Sequence, residues 1–479
     1  MNKEEIISLL KIAKQGRILV VGGGVTGSAA AKLFDSSNYK TCIVDEKSLP
    51  EKLKSELPDV QFIEDYKVSS ENFIKLKNLN FTFALFSPGI NPRSLFAKQI
   101  IDLEIPIFTE LDIALPFIGM PLIAVTGTNG KTTVVTLIND ILAAGGKKSE
   151  LVGNVGFSFL SKIGSLDVDR GIEFSQAEWV SELSSYQLEG VKEFRPKIAM
   201  MLNVDDDHLE RHGNLNGYIE AKARIFKWQQ SATDWSIINA DEFWSEQVSK
   251  VSKGKIFYFG YDKQNNTDGC YYNSADNKII FRLDNVLEEY SLDKSRLLGK
   301  HNKLNIAACI SAARLAGVEK SVIQNVIEKF QPLEHRIEYV REVDGVTYIN
   351  DSKGTNVSAV MVALDMIEHE YPIAKVTLLL GGKIKEGSWK HVENRLGEQI
   401  RSVICFGADR ELVAERLNLK AKHFPVFYET GLGSAMEKAR AVSKNQDVVI
   451  LSPGCASFDA YSGFAERGRH FKEIVNSFK

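Results

Sequence analysis

The chain has only five cysteines in 479 residues, none in a C-x-x-C pair and none at a Cys/His spacing that suggests structural zinc. That excludes a disulfide framework or a zinc-nucleated fold. Cys42, Cys270, Cys309, Cys405 and Cys455 are scattered, as in a reduced protein of the cytoplasm. No apolar run reaches the roughly 18 residues of a membrane span, so no membrane insertion is expected. The opening stretch MNKEEIISLLKIAKQGRILVV is charged and amphipathic and lacks a signal-peptide pattern, so no leader is expected either. Charge of one sign is also missing: 59 Lys and Arg against 62 Asp and Glu leave a net −3. A general nucleic-acid partner is therefore not expected, and an anionic ligand must be met locally.

With 44% hydrophobic and 25% charged residues the composition is that of an ordinary globular protein, and the length suits about three domains. The pattern is α/β throughout. GRILVVGGG is a β-rich run into glycines, followed by the helical VTGSAAAKLF and a second apolar run, KTCIVDE. The alternation repeats more loosely in FTFALFSPGI and IPIFTELDIALP, and Pro116 and Pro121 punctuate a boundary near residue 118. From Pro121 the pattern restarts with strand, loop and helix, adds strands at EWVSELSS and KIAMMLNV, and closes with HNKLNIAACISAARLAGV and KSVIQNVIEKF. Pro332 marks the next boundary, after which GVTYINDS, KVTLLLGG, SVICFG and DVVILSPG alternate with helices. The expected domains are 1–118, 119–331 and 332–479.

Two glycine-rich loops carry chemistry. Gly22, Gly24 and Gly27 fit G-x-G-x-x-G, and Asp45 ends the next strand. Such a turn suits a nicotinamide or flavin cofactor, any other diphosphate, or only the packing of a helix on a strand. The second loop, Gly127-Thr128-Asn129-Gly130-Lys131-Thr132-Thr133, is more specific although Val125 stands where the first glycine of G-x-x-x-x-G-K-[ST] belongs. Its backbone N–H groups and following helix can surround phosphate oxygens, Lys131 can neutralise β/γ-phosphate charge, and Thr132 can hold Mg²⁺.

At strand ends of the second unit, SELSSYQLE and NVDDDHLERHG supply Glu182, the acids 205–207 and His208. These are hard-oxygen and imidazole ligands of the kind Mg²⁺ accepts, or otherwise a solvated loop. Lys222 in YIEAKARIF reads, by itself, as a solvated helix face. In the third unit HRIE, NDSKGTN and LSPGCASFDAYSGF gather polar residues at strand ends; NDSKGTN also reads as a helix cap at Thr355 or Asn356.

The ordered set TGTNGKTT, GNVG, ELSSYQLE, NVDDDHLERHG, EAKARIF, GKHNKLN, LEHRIE, NDSKGTN and LSPGCASFD resembles the Mur ligase family over nearly the whole chain, and LSPGCASFD favours its D-glutamate-adding members. The resemblance implies an N-terminal Rossmann-like domain for a UDP-sugar, a central P-loop ATPase-like domain, and a C-terminal Rossmann-like domain for the amino acid. It implies a cytoplasmic, monomeric, ATP-dependent ligase of peptidoglycan precursor synthesis that joins D-glutamate to UDP-N-acetylmuramoyl-L-alanine through an acyl phosphate, with two Mg²⁺ ions. Another acceptor amino acid is the alternative.

Residue roles follow by the same resemblance. Thr132 and Glu182 would serve one metal, and His208 with a carbamylated Lys222 the other. ATP would meet Gly127 to Thr133, Asn305, Arg336 and Asp351, with Lys353 nearby. The UDP-muramoyl substrate would meet Val25, Thr26, Asp45, Ser87, Gly89, Asn154, Ser184 and Gln187. D-Glutamate would meet Thr355, Lys385, Ser457, Phe458 and Phe464. The sequence departs from the family at Lys383-Ile384-Lys385, where an acidic residue usually precedes the basic one, at Tyr186 for phenylalanine and at Glu210 for aspartate.

Overall fold

The structure, a computed structural model, describes residues 3–117, 122–166, 173–174, 177–261, 268–384 and 388–479. The boundary expected near 118 and the candidate Lys385 lie outside the described residues. Three main sheets carry the fold. The first is five-stranded and parallel, in the order Gln61–Ile63, Thr41–Val44, Arg17–Val21, Phe81–Phe86, Ile107–Thr109. Its central strand is a continuous apolar run because both faces are covered: Ile18 and Val20 point into one hydrophobic core and Leu19 and Val21 into another. The strand order reverses between Arg17–Val21 and Phe81–Phe86, so the first glycine loop and Ser87 meet at a topological switch point, where α/β sheets bind ligands.

IPIFTELDIALP yields only the three-residue strand Ile107–Thr109, and then the helix Glu110–Ala114. A capping box ends the strand: Thr109 Oγ1 accepts from Asp112 N while Asp112 accepts from Thr109 N at 2.8 Å.

The central sheet has nine strands. Leu122–Thr126 lies between Glu178–Glu182 and Ile198–Met201, and Ser149–Gly153 forms one edge. Beyond Trp235–Asn239 and Lys255–Tyr261 the sheet continues into Gly269–Asn273 and ends in the antiparallel strands Lys278–Leu283 and Val286–Ser291. The third sheet runs Glu338–Val343, Val346–Asn350, Val448–Leu451, Val376–Gly381, Ile400–Phe406, Val426–Glu429, parallel except at its first edge.

Arg467, on the C-terminal helix Phe464–Ser477, is fully buried. Its guanidinium donates to Ser352 Oγ, Ser352 O, Cys455 O and Gly381 O at 2.9–3.3 Å. Those carbonyls follow three different strands, so one cation clamps the loops that carry Asp351, Lys383 and Ser457. Arg467→Met keeps most of the volume but orphans three buried carbonyls, each worth about 1–3 kcal/mol. Urea unfolding followed by tryptophan fluorescence should show a loss of at least about 3 kcal/mol. A loss under about 1 kcal/mol would show that the loops hold without it.

Candidate active site

The phosphate-type loop leaves Leu122–Thr126 through Gly127 and enters the helix Lys131–Ala144 through Gly130. Gly130 has φ +82°, and a Cβ there would lie 2.5 Å from Asn305 Oδ1, so glycine is required twice over. Asn203, from the neighbouring strand end, fixes the loop: its Oδ1 accepts from Thr128 N and Asn129 N, and its Nδ2 donates to Asn129 O. Lys131 Nζ donates to Gly127 O and Thr128 O at 2.8 and 2.9 Å. Burial lowers its pKa; Glu182 and Asp207 oppose that shift and Arg336 reinforces it.

Thr132 Oγ1 donates to Glu182 Oε2 at 2.8 Å and accepts from Arg336 Nη2 at 2.6 Å. The other oxygen of Glu182 accepts from Asn154 Nδ2 at 2.7 Å. Thr132, Glu182, Asn154 and Arg336 are thus brought together from the central and C-terminal sheets. On either side of Arg336, His335 and Ile337 have φ of +65° and +48°. For a β-branched residue this is strained backbone, and it aims the guanidinium across the seam.

A cavity of about 260 Å³ opens beside the loop, lined by Asn129, Gly130, Thr133, Phe259, His301, Asn305, Leu333, Arg336, Asp351 and Lys353. Burial pushes Asp351 up to about 7, against its hydrogen bonds from Ser452 Oγ and Ile337 N and the attraction of Arg336 and Arg467. Burial also drives His301 down to about 4, so its imidazole is neutral.

Lys222, expected on a solvated face, is 1% exposed. Its Nζ donates to Gly127 O at 2.7 Å and stands 4.3 Å over the Tyr218 ring. His208 meets the same ring edge-on at 6.2 Å, and its Nδ1 bonds Tyr186 Oη at 2.7 Å. Burial holds the Lys222 amine well below its ordinary pKa, with Lys131 adding to the shift and Asp207 and Glu182 opposing it. Two members of the acid cluster face the C-terminal sheet: Asp205 accepts from Asn129 Nδ2 and Ser358 Oγ, and Asp207 from Asn356 Nδ2. Asp206 is exposed.

In the N-terminal loop, Gly23 N donates to Asp45 at 2.7 Å and Ser87 Oγ to Gly22 O at 2.8 Å. A Cβ on Gly27 would fall 1.8 Å from Gly22 O, which explains the third glycine by close packing. Val25 is 84% exposed, and a Cβ added at Gly24 or Gly89 would meet no atom beyond its own chain neighbours within 4 Å. Thr26 bonds the buried Glu110 carboxylate. Ser184 and Gln187 are engaged with each other in a capping box at the helix Ser185–Gly190. In the C-terminal sheet, Ser457 is buried beside the exposed Phe458, Thr355 N donates to Lys353 O, and Lys353 Nζ lies 4.0 Å over Phe464. Lys383 pairs with Asp409 at 3.2 Å.

Asn203, Arg211, Ser358 and Arg467 were not singled out by the sequence. Arg211, 7% exposed, donates to Pro88 O and Glu189 and joins the first two sheets. Asn203 and Arg211 lie inside the quoted NVDDDHLERHG, so their motif was visible and their roles were not. Nothing in the sequence marks Ser358 or Arg467.

Residues 125–313 match the model of the Mur ligase middle domain, and residues 335–455 that of the Mur ligase glutamate ligase domain. The UDP-N-acetylmuramoylalanine–D-glutamate ligase of Syntrophus aciditrophicus is 34% identical, covering 96% of this chain and 98% of its own. The chain belongs to the Mur ligase family. The enzyme of the same name from Geobacillus kaustophilus is 33% identical over 97% of this chain and 98% of its own. Among solved structures, MurF of Acinetobacter baumannii has a TM-score of 0.59 at 16% identity, covering 98% of each chain. MurC of Thermotoga maritima has 0.58 at 18%, covering 96% and 99%. Both share the fold.

Asp351 gives a test of this electrostatic environment. Its pKa is about 7 when folded and near 4 when unfolded, so the folded state holds the proton more tightly. That contribution to stability is full below pH 4 and is lost as pH rises through 7. Asp351→Asn should gain stability over wild type progressively from pH 5 to 8 in chemical denaturation; parallel pH profiles would contradict the burial argument.

Proposed function

We propose that this chain joins D-glutamate to UDP-N-acetylmuramoyl-L-alanine at the expense of ATP, as a cytoplasmic monomer. The carboxylate of the muramoyl-alanine attacks the γ-phosphorus, ADP leaves, and an acyl phosphate results. The D-glutamate amine then attacks the acyl carbon, and phosphate leaves as the amine gives up its proton. The observation that carries this reading is the convergence of Glu182 and Arg336 on Thr132 beside the phosphate loop, with Asn154 holding the other oxygen of Glu182, in a chain 34% identical to a D-glutamate ligase.

In this reading the loop amides and Lys131 bind the β/γ-phosphates, Arg336 spans to the transferring group, and Asp351 and Asn305 hold the nucleoside. Gly23, Thr26, Asp45 and Ser87 at the switch point receive the uridine diphosphate, and Thr355, Ser457 and Phe464 with Lys385 receive the amino acid. The hydroxyl of Thr132 and the carboxylate of Glu182 are hard oxygens 2.8 Å apart and fit Mg²⁺. His208 and Lys222 fit a second ion once the buried amine, whose pKa burial lowers, adds CO₂ and loses a proton to become a carbamate oxygen donor. Bound Mg²⁺ neutralises phosphoryl charge and draws two anions together.

Phosphate release from ATP with UDP-N-acetylmuramoyl-L-alanine should occur with D-glutamate and not with L-glutamate, L-alanine or meso-diaminopimelate. Release with a different amino acid would overturn the acceptor. Lys222→Ala should lower the rate by at least about tenfold to a hundredfold, the usual effect of disturbing a metal shell; full activity would remove Lys222 from the metal site.

A further inference from the structure

Ser358 sits in the first turn of the helix Val357–Glu370, three residues after Thr355. Its Oγ accepts from Asn129 Nδ2 at 2.6 Å and donates to Asp205 Oδ2 at 2.8 Å, and the second amide hydrogen of Asn129 goes to the same Asp205 oxygen at 3.3 Å. The three side chains form a closed ring in which every polar hydrogen has a partner. Each side of the ring is anchored independently. The Asn129 backbone is held by Asn203, and the helix is capped by Asn356, whose Oδ1 accepts from Ala359 N and whose Nδ2 donates to Asp207 at 3.2 Å.

The ring also stands between two cavities. Asn129 and Asp205 line the 260 Å³ cavity beside the phosphate loop; Asp205 and Ser358 line a second cavity, of about 580 Å³, bounded by Phe243, Met361 and His391. Asp205 and Val362 are common to both, so the ring is part of the wall where the two cavities meet. We propose that Ser358 is a positioning residue, which ties the C-terminal sheet to the phosphate loop and closes the wall against water while the acyl phosphate waits for its amine.

The inference rests on the proposed ligase reaction. With the wall closed, the amine takes the acyl carbon and one phosphate leaves per amide formed. With it loosened, a water oxygen attacks the same carbon, the C–O bond to phosphate breaks, and carboxylate and phosphate are released with no amide. Ser358→Ala leaves a single long bond between Asn129 and Asp205; Ser358→Thr keeps the hydroxyl.

The test measures phosphate and amide separately in wild type, Ser358→Ala and Ser358→Thr, with ATP, UDP-N-acetylmuramoyl-L-alanine and D-glutamate. The alanine variant should release more than one phosphate per amide and show a KM for D-glutamate about threefold to tenfold higher, the scale of one lost hydrogen bond. The threonine variant should restore both. Unchanged stoichiometry and KM in Ser358→Ala would overturn the proposal, as would a lower rate with both ratios intact, which marks a structural role only. A wild type inactive with D-glutamate would instead overturn the ligase reading itself.

Discussion

Thr132 Oγ1 has one hydrogen, which goes to Glu182, and a lone pair that takes the Arg336 guanidinium. Through that single hydroxyl the phosphate loop, the adjacent strand of the central sheet and the C-terminal sheet are held in one geometry. Around it lie the half-buried Lys131 and Arg336 and the buried Lys222 amine, each lowered in pKa chiefly by desolvation. Gathering desolvated positive charge is unfavourable in itself, and Glu182 and Asp207 offset it only in part. Such a cluster is accounted for by a polyanionic ligand, whose phosphates supply the missing negative charge.

The first sheet is joined to this centre by different chemistry. Arg211 reaches Pro88 O, directly after Ser87 and beside Gly89, while stacking 4.0 Å over Tyr186, whose hydroxyl bonds His208. Tyr39 Oη and Ser37 Oγ bond the backbone of Leu166. The Arg211 and Tyr186 contacts tie the switch point of the first sheet to the His208 loop, and the Leu166 contacts tie the segment before Thr41–Val44 to the second unit. The Ser87–Gly89 turn is therefore held at a set distance from the His208 loop.

Much of this was legible in the sequence because backbone chemistry forces residue types. Gly127 and Gly130 are demanded by φ values of +156° and +82°, and the continuous apolar runs RILVV, LIAVT and VTLLLG by strands buried on both faces. The antiparallel strands from Gly269 to Ser291 escaped notice because their outer faces are solvated, so their alternation is diluted by Glu and Lys. Lys222 reads as an exposed helical lysine, and only the fold shows that the Tyr218 ring and the Gly127 carbonyl enclose it. The acid run 205–207 suggested metal ligands, and in the fold two of its three members accept hydrogen bonds from Ser358 and Asn356 at the start of the helix Val357–Glu370. Spacing along a chain cannot separate those uses, since both need a carboxylate at a strand end.

The HRIE turn shows how the C-terminal sheet delivers its arginine. Left-handed backbone at His335 and Ile337 costs on the order of 1–3 kcal/mol each. It is held by His335 N to Glu338, Asn350 Nδ2 to His335 Nδ1 and Ile337 N to Asp351, while Lys472 fixes Glu338 from the C-terminal helix. All four anchors belong to the C-terminal sheet and its helix. The turn is thus a rigid part of that sheet, and Arg336 has no separate freedom to reach Thr132 without it. Any movement of the sheet relative to the phosphate loop must break the Arg336–Thr132 bond and the Ser358 ring together.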